Sequence, residues 1–214
     1  MMFRRMLPVL AVALVCAPLC ATVVLAQTAA PAAAEKPAEK PLTAALLAEL
    51  RSGGLILYFR HGETPNYLDP FEGDNFDDCA QQRNLSKDGR AMARAIGDAF
   101  RTLEIPLGIV RSSPFCRSAD TARLAFGRVE KDLALRSNGE DNEPGENARI
   151  ANLKNMMKIP PWPGTNTIFV GHGTPPKLLG GDHYLAEGEA AIFRPTPNGP
   201  AYVTSVKADQ WVQP

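Results

Sequence analysis

Residues 55–64 read LILYFRHGET. An apolar run rich in β-forming side chains stops at Arg60-His61-Gly62, which predicts a buried strand that ends in a cation and an imidazole. In open α/β sheets, ligands bind at the carboxyl ends of such strands. A guanidinium beside an imidazole at that edge favours an anionic ligand, and phosphate above all.

The rest of the chain alternates helix and strand signals. Helices are predicted at 44–51, from Ser86 to about Leu103, from Pro114 (with Ser113 as N-cap) to about Phe126, and at 146–157. Strands are predicted at 55–60, 107–111, 133–136 and 166–170, followed by a hairpin of 190–194 and 202–207. This alternation predicts a three-layer α/β/α sandwich with a mostly parallel central sheet.

Length and charge narrow the function. A chain of 214 residues has room for one ordinary domain. Its 23 basic and 23 acidic side chains balance. Nucleic acid is therefore not an expected partner, and nothing in the charge favours a membrane surface.

The first 26 residues are predicted to be a cleaved signal peptide, because two arginines precede a long apolar stretch that ends in small residues. An uncleaved membrane anchor is the alternative, and the prolines within the stretch argue against it. Residues 27–41 are rich in Ala and Pro and predict a linker. The folded domain is then 42–214, in a periplasmic or secreted protein with no stable membrane anchoring after cleavage.

Two cysteines, Cys79 and Cys116, remain after cleavage. In an oxidising compartment such a pair favours a disulfide, while two separate thiols are the alternative. Sequence does not supply the distance between the two Cα atoms that decides between them.

Three strand ends carry groups suited to an anion. Because the carboxyl ends of parallel strands meet at one edge, we expect them to converge on one pocket. They are Arg60-His61-Gly62, Ser112-Ser113-Pro114-Phe115-Cys116-Arg117 and Gly171-His172-Gly173. Together they would bind a phosphoryl dianion and stabilise its charge during transfer.

These blocks resemble the histidine phosphatase superfamily, also called phosphoglycerate mutase-like, and the resemblance spans about 55–206. The matching blocks are RHGET at 60–64, LSKDGR at 85–90, SSPFCRSADTA at 112–122 and GHG at 171–173. The resemblance implies that His61 is the nucleophile and carries a covalent phosphoryl group. It also implies that Arg60 and Arg117 hold the phosphate and that His172 donates to the same oxygens.

The predicted substrate-binding residues are Arg60, Gly62, Thr64, Arg117 and Gly173. Glycine at 62 and 173 would let the backbone approach the anion closely. No metal or cofactor is expected. His183 has no motif around it and is interpreted as a surface or core histidine.

The general acid stays open at this stage. The family's mutase-like members use a glutamate beyond the second arginine, and the acidic stretch there lacks the family's usual surroundings. The candidates are Glu140, Glu143, Asp77, Asp78, Glu63, Glu187 and Glu189.

The predicted function is hydrolysis of phosphomonoesters through phospho-His61, in a metal-independent enzyme of histidine acid phosphatase type. The partner would be a small phosphorylated substrate or a phosphorylated glycan. One alternative is a catalytically weak phosphate- or phosphosugar-binding module of the same fold. The other is a phosphoglycerate mutase-like phosphotransferase, which the unusual segments at 77–84 and 174–176 disfavour.

Overall fold

The computed structural model of the protein describes residues 42–70, 75–136, 146–173, 177, 179–181 and 183–211. The predicted signal peptide and linker lie outside these residues. Within the described ranges, no helix is both long and apolar enough to cross a membrane.

Six strands among the described residues form one sheet in the order β3-β2-β4-β1-β5-β6. The pairs β3–β2, β2–β4 and β4–β1 are parallel, whereas β1–β5 and β5–β6 are antiparallel. The strands are β1 Ile56–Arg60, β2 Leu107–Ser112, β3 Glu130–Lys131, β4 Asn166–Gly171, β5 Ala190–Thr196 and β6 Gly199–Val206. The predicted mixed and mostly parallel sheet is thus confirmed.

Four α-helices lie in the same ranges: α1 Ala44–Ser52, α2 Lys87–Thr102, α3 Cys116–Phe126 and α4 Glu146–Met156. Polar caps fix where two of them begin. Thr43 Oγ1 accepts from the Leu46 N–H at 3.1 Å, and Ser86 Oγ accepts from the Gly89 N–H at 2.9 Å.

The sheet has a hydrophobic core on each face because successive strand side chains point to opposite sides. On one face, Leu57 and Phe59 of β1 share a core with Leu50, Phe100 and Phe126 from helices α1, α2 and α3. On the other face, Ile56 and Tyr58 share a core with α4. This arrangement is the expected three-layer α/β/α sandwich.

Three predicted boundaries are wrong. The second strand of the hairpin begins at Gly199, three residues earlier than predicted. The segment predicted as a strand at 133–136 is a 3₁₀ turn, Leu133–Leu135, and the strand lies just before it. Asp132 causes the turn because its carboxylate accepts from the Ala134 N–H at 2.9 Å. Helix α3 begins at Cys116, two residues later than predicted, with no side-chain cap. The side chain of Ser113, the predicted cap, lies instead against an imidazole described below.

Candidate active site

The candidate site lies at the carboxyl edge of three adjacent parallel strands. The central strand of the three, β4, ends at Gly171 and is flanked by β1 and β2. Arg60 pairs with Gly171 in register, and the Ser113 N–H donates to the Val170 carbonyl at 2.8 Å. The three predicted blocks therefore meet at one edge of the sheet.

His61 is held as a neutral imidazole with a defined tautomer. Its Nδ1 lies 2.8 Å from the Gly62 carbonyl oxygen, which only accepts hydrogen bonds, so Nδ1 carries the proton. The lone pair is then on Nε2. Burial, followed by the charge of Arg117, lowers the pKa of His61 to about 3. At neutral pH the ring is therefore uncharged and nucleophilic.

His172 faces His61 across the pocket. The two ring centroids are 5.5 Å apart and the rings meet edge to face. The Nε2 of His172 lies 3.0 Å from Ser113 Oγ, and its backbone N–H donates to Tyr58 Oη at 3.2 Å. These contacts fix the ring from two neighbouring strand ends.

Arg117, the second residue of α3, is the buried cation of the pocket. Its side chain is 6% exposed and its Nη1 lies 2.5 Å from Asp69 Oδ2. The guanidinium carbon lies 4.4 Å from the centroid of the Phe115 ring. Burial lowers the pKa of Arg117 and the charge of Asp69 opposes that shift.

Arg60 is the more exposed cation, with a side chain that is 30% accessible. Its Nη1 donates to the Leu185 carbonyl at 2.8 Å, and its Nη2 lies 3.5 Å from Glu187 Oε1. Burial lowers the pKa of Arg60 and the charge of Glu187 raises it. The positive charges of both Arg60 and Arg117 act on His61.

A third cation, Arg83, was not anticipated from the sequence. Its Nη1 donates to the Tyr67 carbonyl at 2.8 Å and its backbone N–H donates to Asp69 Oδ1 at 2.9 Å. Its charge contributes to lowering the pKa values of His61 and of the other two arginines. Arg83 lies in a polar loop without periodicity, so no sequence signal pointed it toward the pocket.

The loop that carries Arg83 is fastened to the start of α3 at two points. Cys79 and Cys116 form a disulfide with Cα atoms 5.7 Å apart, which decides the alternative that the sequence left open. The neighbouring Gln82 is buried, and its Oε1 accepts from the Cys116 N–H at 2.8 Å. Arg83 and Arg117 therefore belong to one covalently linked wall.

The structure gives Gly62 and Gly173 different surroundings. A Cβ on Gly62 would lie 2.8 Å from the Gly89 carbonyl oxygen, so its small size admits the first turn of α2. Its N–H already donates to Thr121 Oγ1 at 2.9 Å. A Cβ on Gly173 would lie 3.4 Å from Arg60 Cδ. Gly173 therefore lies next to Arg60, a residue that is predicted to bind the phosphate.

The Thr64 hydroxyl is not free to contact the two imidazoles. Its Oγ1 donates to Glu187 Oε1 at 2.8 Å, and its backbone N–H donates to Glu187 Oε2 at 3.3 Å. Thr64 thus holds a carboxylate beside Arg60. This carboxylate is one of the seven candidates for the general acid.

The other acid candidates lie in different settings. Glu140 and Glu143 fall outside the described residues. Asp77 pairs with Lys131 at 2.7 Å and is highly exposed, and Asp78 caps a 3₁₀ turn at the Ala80 N–H. Glu63 accepts from the cap residue Ser86 at 2.9 Å.

Glu189 is buried, and its two oxygens lie 2.9 Å from His183 Nε2 and 2.6 Å from the Ala186 N–H. His183 is thus part of the turn that carries Glu187, in line with a structural role. Among the residues that the structure describes, no cluster of three or more His, Cys, Asp or Glu side chains has the arrangement of a metal site.

Comparisons with known proteins bear on the family and on the fold. The model of the histidine phosphatase superfamily (branch 1) matches residues 56–140, the segment that carries His61, Arg83 and Arg117. No curated protein matches the sequence significantly.

Solved structures share the fold at low sequence identity. The protein histidine phosphatase SixA, solved with tungstate, has a TM-score of 0.50 and 13% identity over 72% of this chain and 97% of its own. The TTHB049 protein of Thermus thermophilus has a TM-score of 0.51 and 18% identity, covering 72% and 99%. The product of Rv3214 from Mycobacterium tuberculosis has a TM-score of 0.50 and 19% identity, covering 72% and 98%. The family-model match over residues 56–140 supports a phosphatase- or mutase-type function, and over that segment the chain is similar to the histidine phosphatase superfamily.

Proposed function

We propose that this protein hydrolyses phosphomonoesters through a covalent phosphohistidine on His61. The observation that carries the proposal is the uncharged His61 ring, with its lone pair on Nε2, set among cationic side chains. A neutral imidazole attacks phosphorus, whereas an imidazolium has no lone pair to offer. Burial and the neighbouring arginines keep the ring in the reactive form.

The charge of the transferred group is matched by Arg60, at the end of β1, and by Arg117, in the first turn of α3, whose positive charges both act on His61. Guanidinium groups bind phosphate oxygens through paired N–H donors, so they hold the dianion and stabilise its developing charge. His172, with a ring centroid 5.5 Å from that of His61, is placed to donate to the same oxygens. The arginines supply the positive charge, so the proposed mechanism calls for no metal ion.

The expected substrate is a small phosphomonoester or a phosphorylated glycan, met in the periplasm or outside the cell. Support for this location comes from the signal-peptide pattern at 1–26, and the location stays a prediction. The disulfide is compatible with an oxidising compartment.

Steady-state turnover of a panel of phosphomonoesters tests the proposal. We expect hydrolysis of p-nitrophenyl phosphate by the wild type and its loss in His61→Ala. Transfer between phosphoglycerates that depends on a bisphosphate primer would identify a mutase instead. Phosphate binding without turnover of any ester would identify a binding module.

A further inference from the structure

A short turn carries Glu187 to the open side of the pocket. The Gly188 N–H donates to the His61 carbonyl at 2.9 Å, and the Leu185 carbonyl accepts from Arg60 Nη1 at 2.8 Å. The turn is therefore hydrogen-bonded directly to the end of β1, where Arg60 and His61 lie. Resting on the phosphatase function proposed above, we infer that Glu187 is the general acid that protonates the leaving oxygen.

The Glu187 carboxylate is held in place mainly by neutral donors. Its close contacts are neutral donors, the Thr64 hydroxyl at 2.8 Å and the Thr64 N–H at 3.3 Å. The single cation in contact among the described residues, Arg60, is 3.5 Å away. The Thr64 hydroxyl can rotate and accept once the carboxyl is protonated.

Substrate binding itself favours that protonation. A phosphate dianion held by Arg60 brings negative charge next to Glu187, and a like charge disfavours the ionised carboxylate. The Glu187 side chain is 23% exposed, so the proton can come from water.

The rival carboxylates are less suited to the role. Asp69 lies 2.5 Å from Arg117 Nη1 and also accepts the Arg83 N–H, so both of its oxygens are engaged on the opposite side of the pocket from Arg60. Glu189 is buried, unlike Glu187, and its oxygens hold His183 and the Ala186 N–H, so it has no direct access to water. Both carboxylates thus position other groups.

Glu187 gives up a proton in the first step of the reaction and regains one in the second. The Nε2 lone pair of His61 forms a bond to phosphorus as the bond from phosphorus to the leaving oxygen breaks, and that oxygen takes the proton of the Glu187 carboxyl. The resulting carboxylate then takes a proton from water as the water oxygen bonds to phosphorus and the bond to Nε2 breaks. Inorganic phosphate leaves, and both residues return to their starting forms.

A pair of aryl esters tests this role. The leaving group of p-nitrophenyl phosphate scarcely needs a proton, whereas the more basic phenolate of phenyl phosphate does. Glu187→Gln keeps an oxygen for Thr64 but has no proton to give. Because kcat also includes the second step, which is common to both esters, the measured quantity is kcat/KM, which reports the first phosphoryl transfer. We expect kcat/KM to fall by about 100-fold on phenyl phosphate and by less than about threefold on p-nitrophenyl phosphate.

Three comparisons make the result decisive. Asp77→Asn, on the exposed loop, controls for loss of a surface carboxylate and should leave both rates unchanged. The ratio of the two rates within one preparation does not depend on the fraction of folded enzyme. Asp69→Asn should lower both rates alike, because it acts through Arg117.

Equal losses on both esters in Glu187→Gln, or no loss on either, would overturn the assignment of the acid while leaving the phosphatase function intact. If the wild type hydrolyses neither ester and forms no phosphohistidine, the proposed function fails, and the role of Glu187 fails with it.

Discussion

The two walls of the pocket hold their arginines in different ways. The Arg117 wall comprises the start of α3 with Asp69 and Arg83; its Arg117 side chain is buried and tightly ion-paired, and a disulfide ties the loop to the helix. The Arg60 wall comprises Arg60 with Thr64 and Glu187; its Arg60 side chain is more exposed and makes a longer contact with its carboxylate. Under the proposed function, the first wall would hold charge in place, and the second would exchange protons and admit the leaving group.

Opening the disulfide is expected to have the largest effect. Cys79 and Cys116 are 37 residues apart, and a loop of that length corresponds to about 3–4 kcal/mol of stability in the chain-entropy account. Cys79→Ser with Cys116→Ser should lower the free energy of urea unfolding by that order. Reductant should act on the wild type and leave the double variant unchanged. Equal stability of the oxidised and reduced wild type would show that the link does not secure this wall.

Exchanging each arginine for lysine tests directly whether the two walls differ. Arg117→Lys replaces a buried fork by a point charge beside Asp69, and we expect kcat/KM for p-nitrophenyl phosphate to fall about 100-fold. Arg60→Lys, on the Arg60 wall, should lower the same kcat/KM about 10-fold. Equal losses in the two variants would mean that burial does not distinguish the walls.

The buried neutral His61 makes stability depend on pH. Its pKa is about 3 in the folded protein, against an ordinary 6.5 in the unfolded chain. Above pH 6.5 neither state binds this proton, so the contribution to stability is complete. As the pH falls from 6.5 toward 3, the unfolded chain gains the proton and the folded protein does not.

From pH 8 to pH 5 this difference lowers the free energy of unfolding by about 2 kcal/mol. Urea titrations of the wild type and His61→Gln across that range measure the effect, in buffers free of phosphate. The variant should lose less stability in acid than the wild type. Parallel profiles would place the proton on His61 in both states.

The smallest loss of stability is expected from a substitution in the Arg60 wall. Thr64→Val keeps the shape of the side chain and removes the hydroxyl that donates to Glu187 at 2.8 Å. A single hydrogen bond of this kind contributes about 1 kcal/mol. Thermal unfolding followed by circular dichroism should show a slight decrease, well below that of the cysteine double variant. A decrease as large as that one would contradict the description of this wall as loosely held.

The strand ends were predictable from the sequence, and the loops that complete the pocket were not. A buried apolar run that stops at a polar block fixes where Arg60, His61 and His172 emerge, and parallel strands bring those ends together. Asp69 and Glu187 reach the arginines across 48 and 127 residues of chain. No local pattern in a polar loop encodes contacts over such a separation.

Long-range contacts also explain the wrong helix start and decide the alternative left open for the cysteines. Ser113 has the residue type of a helix cap, but its hydroxyl is used by His172 and the helix begins later. The pairing of Cys79 with Cys116 was chemically reasonable, and the approach of their Cα atoms decided it. Tertiary contacts override local preference where groups are recruited to the pocket.

The most direct test of the account is to trap the phosphoryl group on the enzyme. Acid-labile, base-stable label from a phosphomonoester, quenched within the first turnovers and mapped by mass spectrometry, should lie on His61 alone. It should be absent from His61→Ala and still form in Glu187→Gln with p-nitrophenyl phosphate. Label on His172, on His183 or on a non-histidine side chain would contradict the central claim that the neutral His61 ring is the nucleophile.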